Sequence, residues 1–235
     1  MPRRLLTAAV LLGILALTGC ASTPAVVPSA TPQPSVTAVP SGDGILRIGT
    51  LFPMTGDNAA SGAAQVAGTE LALRNILAEQ TIPTQVVELI HRNSAGDLAA
   101  AFADLVARGA DLILWDATTA FPADAEASVN GAALVALSDF ANGGTPLAAD
   151  EAFTARLKSA DPGLAGTAGG AEAYDGVITA ALAAVITADD GAASLTAGWS
   201  QVVSGSAVCG SWGACVLAVS ETQIIDYQGI TGRRS

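Results

Sequence analysis

The chain has little of the chemistry that most enzymes use at their active sites. Its 235 residues include one histidine, His91, one lysine, Lys158, and three cysteines. It contains no Gly-x-Ser-x-Gly nucleophile elbow, no phosphate loop ending in Lys-Ser/Thr and no ligand spacing typical of a metal site. We therefore expect His91 to be a surface or capping residue. We expect no enzymatic activity, no cofactor and no bound metal.

Positive charge is also scarce. Lys and Arg together number 10 against 21 Asp and Glu, which gives a formal net charge of −11 at pH 7. Two of the arginines, Arg3 and Arg4, lie in the amino-terminal segment that we predict to be removed, so the mature chain would be more acidic still. This balance argues against binding to nucleic acid and against electrostatic attachment to anionic lipid.

The amino terminus has the organisation of a secretory signal sequence. Two arginines precede an apolar run, Leu5–Leu17, that is short for a membrane-spanning helix. The motif Leu17-Thr18-Gly19-Cys20 resembles the bacterial lipobox, in which the chain is cut before the cysteine and its thiol is acylated. We expect residues 1–19 to be a lipoprotein signal peptide and Cys20 to anchor the chain by lipid to the extracytoplasmic face of the cell membrane. The alternative is an ordinary signal peptide with an incidental cysteine.

Residues 20–43 are predicted to be the lipidated cysteine and a tether. The stretch from Ala21 to Ser41 consists of Ala, Ser, Thr, Val and Pro with a single Gln33, and it carries no charge. Prolines fall at positions 24, 28, 32, 34 and 40. Such a segment buries little surface and disfavours helix, so it should stay extended and hold a folded domain away from the membrane.

Hydrophobic periodicity after Gly44 predicts alternating strands and helices. Four apolar runs are typical of strands: Ile45–Phe52, Val86–Ile90, Leu112–Trp115 and Ala133–Leu137. A first helix is predicted over Ser61–Ala78, and its apolar stripe should contain Val66, Leu73, Ile76 and Leu77. A second helix should begin at an Asp97 N-cap and stop at Gly109, and a third should precede the fourth strand. This alternation predicts an α/β fold in which a parallel sheet is covered by helices on both faces.

Ligands of open α/β sheets bind beyond the carboxyl ends of the strands. In this chain those ends carry hydroxyl and amide side chains rather than repeated acids or cysteines: Thr55-Gly56, His91-Arg92-Asn93, Asp116–Thr119 and Ser138-Asp139. Hydroxyls and backbone N–H groups suit a carboxylate that is held without a dedicated cation. The same residue types also cap helices and turns, so both roles are open for each residue.

Two cysteines remain if Cys20 carries lipid. Cys209 and Cys215 are an even, closely spaced pair in an exported chain, which predicts a disulfide bond between them. A metal site would need more ligands than this pair supplies, and the single histidine is distant in sequence.

The first part of the folded region resembles a known family. Ile45–Gly56 (ILRIGTLFPMTG), then Gly68–Leu73 and Arg92–Asp97, are similar to the opening of solute-binding proteins of branched-chain amino-acid ABC transporters. These are type I periplasmic binding proteins, in which two α/β lobes close on a ligand.

A second set of matches lies near the carboxyl terminus. Three segments resemble the late helices of the same family: Phe153–Lys158, Ala160–Gly163 and Ala171–Asp175. The cysteine pair and Asp226–Gly232 (DYQGITG) are similar to the small disulfide loop and the final turn of actinobacterial members.

The resemblance implies a function and a binding site. It implies an extracytoplasmic solute-binding lipoprotein that captures a branched-chain amino acid, or a similar small carboxylate, for an ABC permease in the membrane. It also implies ligand contacts from four hydroxyl side chains of the first lobe: Thr55, Thr118, Thr119 and Ser138.

The match departs from the family after Ser138-Asp139, where the chain passes directly to Gly143-Gly144 and the late helices. We therefore expect residues 44–140 to form the first lobe and residues 141–235 to form a remnant of a truncated second lobe, with the carboxyl-terminal helices and the disulfide loop. Because the second lobe is expected to be truncated, an alternative stays open. The chain would then be a non-transport surface lipoprotein that acts as an interaction or sensory module, or a non-functional remnant.

Overall fold

The computed structural model describes residues 41–79, 86–118, 121, 131–140 and 150–233. The predicted signal peptide, Cys20, most of the tether, Thr119 and the helix expected before the fourth strand lie outside the described residues. The elements in the first part are β1 (Ile45–Phe52), α1 (Ala59–Ala78), β2 (Val86–Asn93), α2 (Leu98–Ala107), β3 (Leu112–Trp115), β4 (Ala133–Ala136) and a 3₁₀ turn (Leu137–Phe140). Those in the second part are α3 (Glu151–Ala160), α4 (Gly170–Thr187), α5 (Ala192–Val202), β5 (Ala207–Cys209), α6 (Trp212–Ser220), β6 (Ile225–Gly229) and β7 (Gly232–Arg233).

The main sheet has four parallel strands in the order β2-β1-β3-β4. The chain leaves β1 toward one side to form β2 and returns to the other side to form β3, so β1 and β3 are the neighbours at which the strand order reverses. The predicted α/β fold with a parallel sheet is therefore confirmed.

Alternate side chains of the strands pack into two hydrophobic clusters, one on each face of the sheet. Ile48 and Phe52 of β1 lie in the larger cluster with residues of α1 and α4. Leu51 of the same strand lies in the smaller cluster with Phe102 and Leu105 of α2. Strand side chains alternate with a period of two, so one buried strand supplies both clusters.

The contact between α1 and α4 depends on small residues. A Cβ atom added at Gly68 of α1 would lie 2.1 Å from the carbonyl oxygen of Gly170, the first residue of α4. The buried face of α1 also differs in part from the predicted apolar stripe: Leu77 is 53 % exposed, whereas Ala64 and Ala72 are fully buried. Small side chains let the two helix backbones approach closely, and this brings the amino end of α4 against α1 near the carboxyl ends of the strands.

A buried carboxylate fastens the carboxyl-terminal hairpin to α4. Asp175 is 1 % exposed, and it accepts hydrogen bonds from the hydroxyls of Tyr227 (2.7 Å) and Thr231 (2.6 Å) and from the backbone N–H groups of Ile230 (3.0 Å) and Thr231 (2.7 Å). A Cβ atom at Gly229 would lie 2.1 Å from Asp175 Oδ1, so the glycine of the DYQGITG segment permits this approach. Burial raises the pKa of Asp175, and the four donors oppose that rise.

The last elements belong to the same core as the main sheet. The strands β5, β6 and β7 form a small sheet. The predicted disulfide is present and links Cys209 of β5 to Cys215 of α6, with a Cα–Cα distance of 5.2 Å. Cys215 and Tyr227 are buried in one cluster with Ile48 of β1. The division into residues 44–140 and 141–235 stays a prediction, and described residues on both sides of it share one core.

The start of the folded region is held by the loop that follows α4. The backbone N–H groups of Ser41 and Gly42 donate to Asp189 at 3.3 and 3.0 Å. Hydrogen bonds, the one from the Ser194 side chain foremost, lower the pKa of Asp189. The predicted tether thus joins the domain at the end of the sheet from which β1 starts.

Within the described ranges, no single helix is long and apolar enough to span a membrane. The pair α4 and α5, bent by 103° at its break, meets that criterion only when the two helices are taken together.

Candidate functional site

A cavity of about 280 Å³ lies beyond the carboxyl ends of the sheet strands. Four parts of the chain build it: the segment after β3, the 3₁₀ turn after β4, the first two turns of α1, and the start of α4 with the two residues before it. The polar side chains that line it are those of Ser61, Gln65, Asp116, Thr118, Ser138 and Glu172. This is the edge at which doubly wound α/β sheets bind ligands.

The end of β3 places Asp116 at the cavity. Asp116 N–H donates to the carbonyl oxygen of Leu51 at 3.3 Å, which continues the pairing of β3 with β1 by one residue. Ala117 then adopts a left-handed conformation with φ of +61°, which few non-glycine residues do. The chain turns there, and Asp116, Ala117 and Thr118 all line the cavity.

The amino end of α4 forms the opposite wall. Gly169, the residue before the helix, has φ of +81°. A Cβ atom there would lie 2.8 Å from the Gln65 amide nitrogen, so a side chain at position 169 would collide with Gln65 of α1. This glycine packs the amide of Gln65 against the start of α4, where Glu172 follows in the first turn.

Two acidic side chains of the cavity are removed from solvent. Asp116 is 8 % exposed and Glu172 is 2 % exposed. Burial raises the pKa of Asp116, and hydrogen bonds from Thr118 partly offset the rise. None of the lining side chains that the structure describes is cationic.

Two hydroxyl groups that line the cavity already donate hydrogen bonds to other atoms of the protein. The Thr118 hydroxyl donates to Asp116 Oδ2. The Ser61 hydroxyl donates to the carbonyl oxygen of Ala168 at 3.2 Å. Each hydroxyl has one proton to donate, so Thr118 and Ser61 offer only acceptor lone pairs to a ligand.

Two buried acceptor atoms, on residues that line the cavity, have no hydrogen-bond partner among the described residues. They are Asp116 Oδ1 and Gln65 Oε1. Gln65 is 5 % exposed. Buried polar atoms in folded proteins are nearly always paired, and those left over need an explanation such as a ligand or a bound water.

The four predicted contact residues do not all meet at this cavity. Thr118 and Ser138 line it, and both are exposed. Thr55 is not among its lining residues and instead accepts a hydrogen bond at 2.8 Å from the amide of Asn93 at the end of β2. Thr119 lies outside the described residues. Their roles as ligand contacts stay predictions.

Sequence reasoning named the strand end that contains Asp116 but did not select that residue, and it missed Gln65 and Glu172. Gln65 is the only amide in an otherwise small and apolar stretch, SGAAQVAG, which is a weak signal of a buried polar role. An acid in the first turn of a helix is commonly a partner of the helix dipole, so Glu172 gave no distinct signal.

His91 has a structural role away from the cavity. Its Nδ1 atom is hydrogen-bonded to the Thr50 hydroxyl at 2.7 Å, and its Nε2 atom lies 3.2 Å from Glu70 Oε1. Thr50 is fully buried, so this chain of three side chains offers no accessible nucleophile. His91 therefore bridges β1, β2 and α1 rather than capping an element.

Over the part of the chain that is described, no group of three or more His, Cys, Asp or Glu side chains has the arrangement of a metal site. A second cavity of about 250 Å³ lies at the β4 edge, between Leu134, Val135, Leu195 and Trp199. Its mainly apolar lining offers little to a polar ligand.

No family model and no curated protein matches the chain.

Proposed function

We propose that this protein is an extracytoplasmic solute-binding lipoprotein that holds an amino acid or a similar small carboxylate and presents it to an ABC permease. The observation that carries the proposal is the position of the 280 Å³ cavity beyond the carboxyl ends of a doubly wound sheet. The predicted lipobox and the uncharged tether support an extracytoplasmic location.

The size and lining of the cavity support a small polar ligand. Its volume lies just below the range of about 300–1,000 Å³ that is typical of ligand pockets, which suits a molecule the size of an amino acid. Buried acceptors beside exposed hydroxyls are the few convergent polar groups that fix a small ligand in orientation.

A thermal-shift panel tests the binding function. The secreted Cys20→Ala chain, which lacks the predicted lipid, is heated with each of the common amino acids at millimolar concentration. A ligand at 100 times its Kd stabilises the folded state by about 2.7 kcal/mol, which for a chain of this size raises Tm by about 5–10 °C. No shift with any amino acid would contradict the proposal and favour the non-transport alternative.

Membrane fractionation tests the lipid anchor. The wild-type chain should take up labelled fatty acid and stay with the membranes, and Cys20→Ala should be exported as a soluble form. Fatty acid on the Cys20→Ala chain would show that the anchor is not at the predicted cysteine.

A further inference from the structure

We infer that the cavity beyond the strand ends binds the ammonium end of its ligand, with Asp116 as the ion-pair partner and Gln65 as a second acceptor. The inference rests on the proposed function and adds to it the polarity of the bound ligand. It reverses the orientation expected from the sequence, in which hydroxyls of this same region hold a carboxylate.

The first step of the argument concerns the unused acceptors. Asp116 and Gln65 line the cavity, and their atoms Asp116 Oδ1 and Gln65 Oε1 are buried and lack a partner among the residues described. An ionised carboxylate can only accept hydrogen bonds, so Asp116 Oδ1 requires a donor from whatever occupies the cavity. An ammonium group supplies three such donors.

The second step concerns the hydroxyl groups of the cavity, since hydroxyls were expected from the sequence to act as donors to a carboxylate ligand. The hydroxyl protons of Thr118 and Ser61 are given to Asp116 and to the Ala168 carbonyl oxygen. A ligand carboxylate placed beside Asp116 would instead face a buried like charge, which disfavours it. Ser138 is the remaining lining hydroxyl, and it is exposed at the rim.

The third step concerns charge. Asp116 and Glu172 are the titratable side chains among the described lining residues, and both are acids. A buried carboxylate such as that of Asp116 is usually stabilised by a paired cation, and no Lys, Arg or His is among the described residues that line the cavity. A cationic ligand group provides this pairing, whereas an anionic group would add a further negative charge.

Matched probes separate the two ends of an amino acid. Leucine without its carboxylate is 3-methylbutylammonium, and leucine without its amine is 4-methylpentanoate. Both are titrated into the secreted Cys20→Ala chain by calorimetry or by NMR, beside leucine itself and the neutral 3-methylbutanol. We expect the amine to bind more tightly than the carboxylate and the alcohol by at least tenfold.

Substitutions locate the bound ammonium group. Losing a charge-assisted hydrogen bond weakens binding roughly ten- to a hundredfold, so Asp116→Asn should reduce amine affinity by that factor. Gln65→Met, which keeps the volume and removes the acceptor, should weaken it by roughly threefold to tenfold. Asp57→Asn removes an equal charge from an exposed turn outside the cavity and should leave amine affinity unchanged.

The outcomes distinguish this inference from the proposed function. Binding of 4-methylpentanoate but not of the amine would overturn the inference and leave solute binding intact. Amine binding that is equal in wild type, Asp116→Asn and Gln65→Met would also overturn it. No binding of any probe or of any amino acid in the thermal-shift panel would overturn both.

Discussion

Asp175 and Asp116 are both buried aspartates, and they differ in how completely their carboxylate oxygens are hydrogen-bonded. Asp175 lies in the interior and accepts four hydrogen bonds, two of them from backbone N–H groups. Asp116 lies at the cavity, where Oδ2 accepts from Thr118 and Oδ1 has no partner among the described residues.

This difference in hydrogen bonding separates a carboxylate that stabilises the fold from the one that we propose to bind the ligand. A fully satisfied buried carboxylate specifies its surroundings, because removing it leaves several donors unpaired. A partly satisfied one costs stability and is retained where it has a function. We therefore expect Asp175 to dominate stability and Asp116 to dominate binding.

The largest expected effect comes from removing the interior carboxylate. Asp175→Ala leaves two hydroxyls and two backbone N–H groups of the hairpin without their acceptor, and should lower the free energy of unfolding by about 3–5 kcal/mol. Urea denaturation measures the loss. Asp116→Ala is the matched control, and a loss as large at Asp116 as at Asp175 would remove the contrast between the two sites.

The disulfide also holds the carboxyl-terminal segment in place, so its contribution to stability can be compared with that of Asp175. Replacing Cys209 and Cys215 together by serine should lower the free energy of unfolding by about 2 kcal/mol, since the bridge closes a short loop. The loss should therefore be smaller than that for Asp175→Ala. Denaturation of the oxidised wild type and of the double variant checks it, and a larger loss for the cysteine variant would show that the covalent link rather than Asp175 holds this segment.

A third aspartate, Asp111, lies at the opposite end of the sheet and makes the stability of the fold depend on pH. Burial, with help from the negative charges of Asp190 and Asp43, raises the pKa of Asp111 to about 6. The folded state then holds the Asp111 proton more tightly than the unfolded state, so this contribution to stability is complete below pH 4 and is lost as the pH rises toward 6. After allowance for solvent screening of this half-buried group, the loss should be about 1 kcal/mol.

Asp111→Asn is the test of that pH dependence. The asparagine can still accept the backbone N–H of Arg47, which donates to Asp111 at 2.8 Å, and it does not titrate. The difference in unfolding free energy between wild type and variant should change across pH 4 to 6. A constant difference over that range would show that burial does not perturb Asp111.

The smallest expected effect is an increase in the free energy of unfolding. Gln65→Met replaces a buried amide whose Oε1 has no partner in the described part of the chain, and should raise the free energy of unfolding by up to about 1 kcal/mol in the absence of ligand. Thermal denaturation without ligand measures it. A clear loss of stability would indicate that Gln65 serves packing of α1 against α4 rather than binding.

Much of the sheet could be predicted from the sequence because its strands are strongly and continuously apolar. β1 and β3 have the predicted bounds, Ile45–Phe52 and Leu112–Trp115, and the Asp97 side chain caps α2 by accepting from Ala100 N–H at 3.0 Å. The buried face of α1 was harder to predict, because small residues such as Gly68 pack closely without a hydrophobic signal.

The candidate site could be predicted only in part. The correct edge of the sheet follows from strand order, and Thr118 and Ser138 do reach the cavity. The role of Glu172 depends on α4, which lies more than 50 residues after β3 and returns to pack on α1. Sequence periodicity shows that such a helix exists but does not show which strand end its first turn will meet.

The most direct test of the account is the pKa of the Asp116 carboxyl group, measured by carbon-13 NMR with and without saturating 3-methylbutylammonium. We predict a pKa above the ordinary 3.8 in the free protein, because the group is buried, and a fall when the amine binds. Asp111, at the other end of the sheet, should stay at about 6 in both samples. A pKa of Asp116 that the bound amine leaves unchanged would contradict the assignment of this carboxylate to ligand binding.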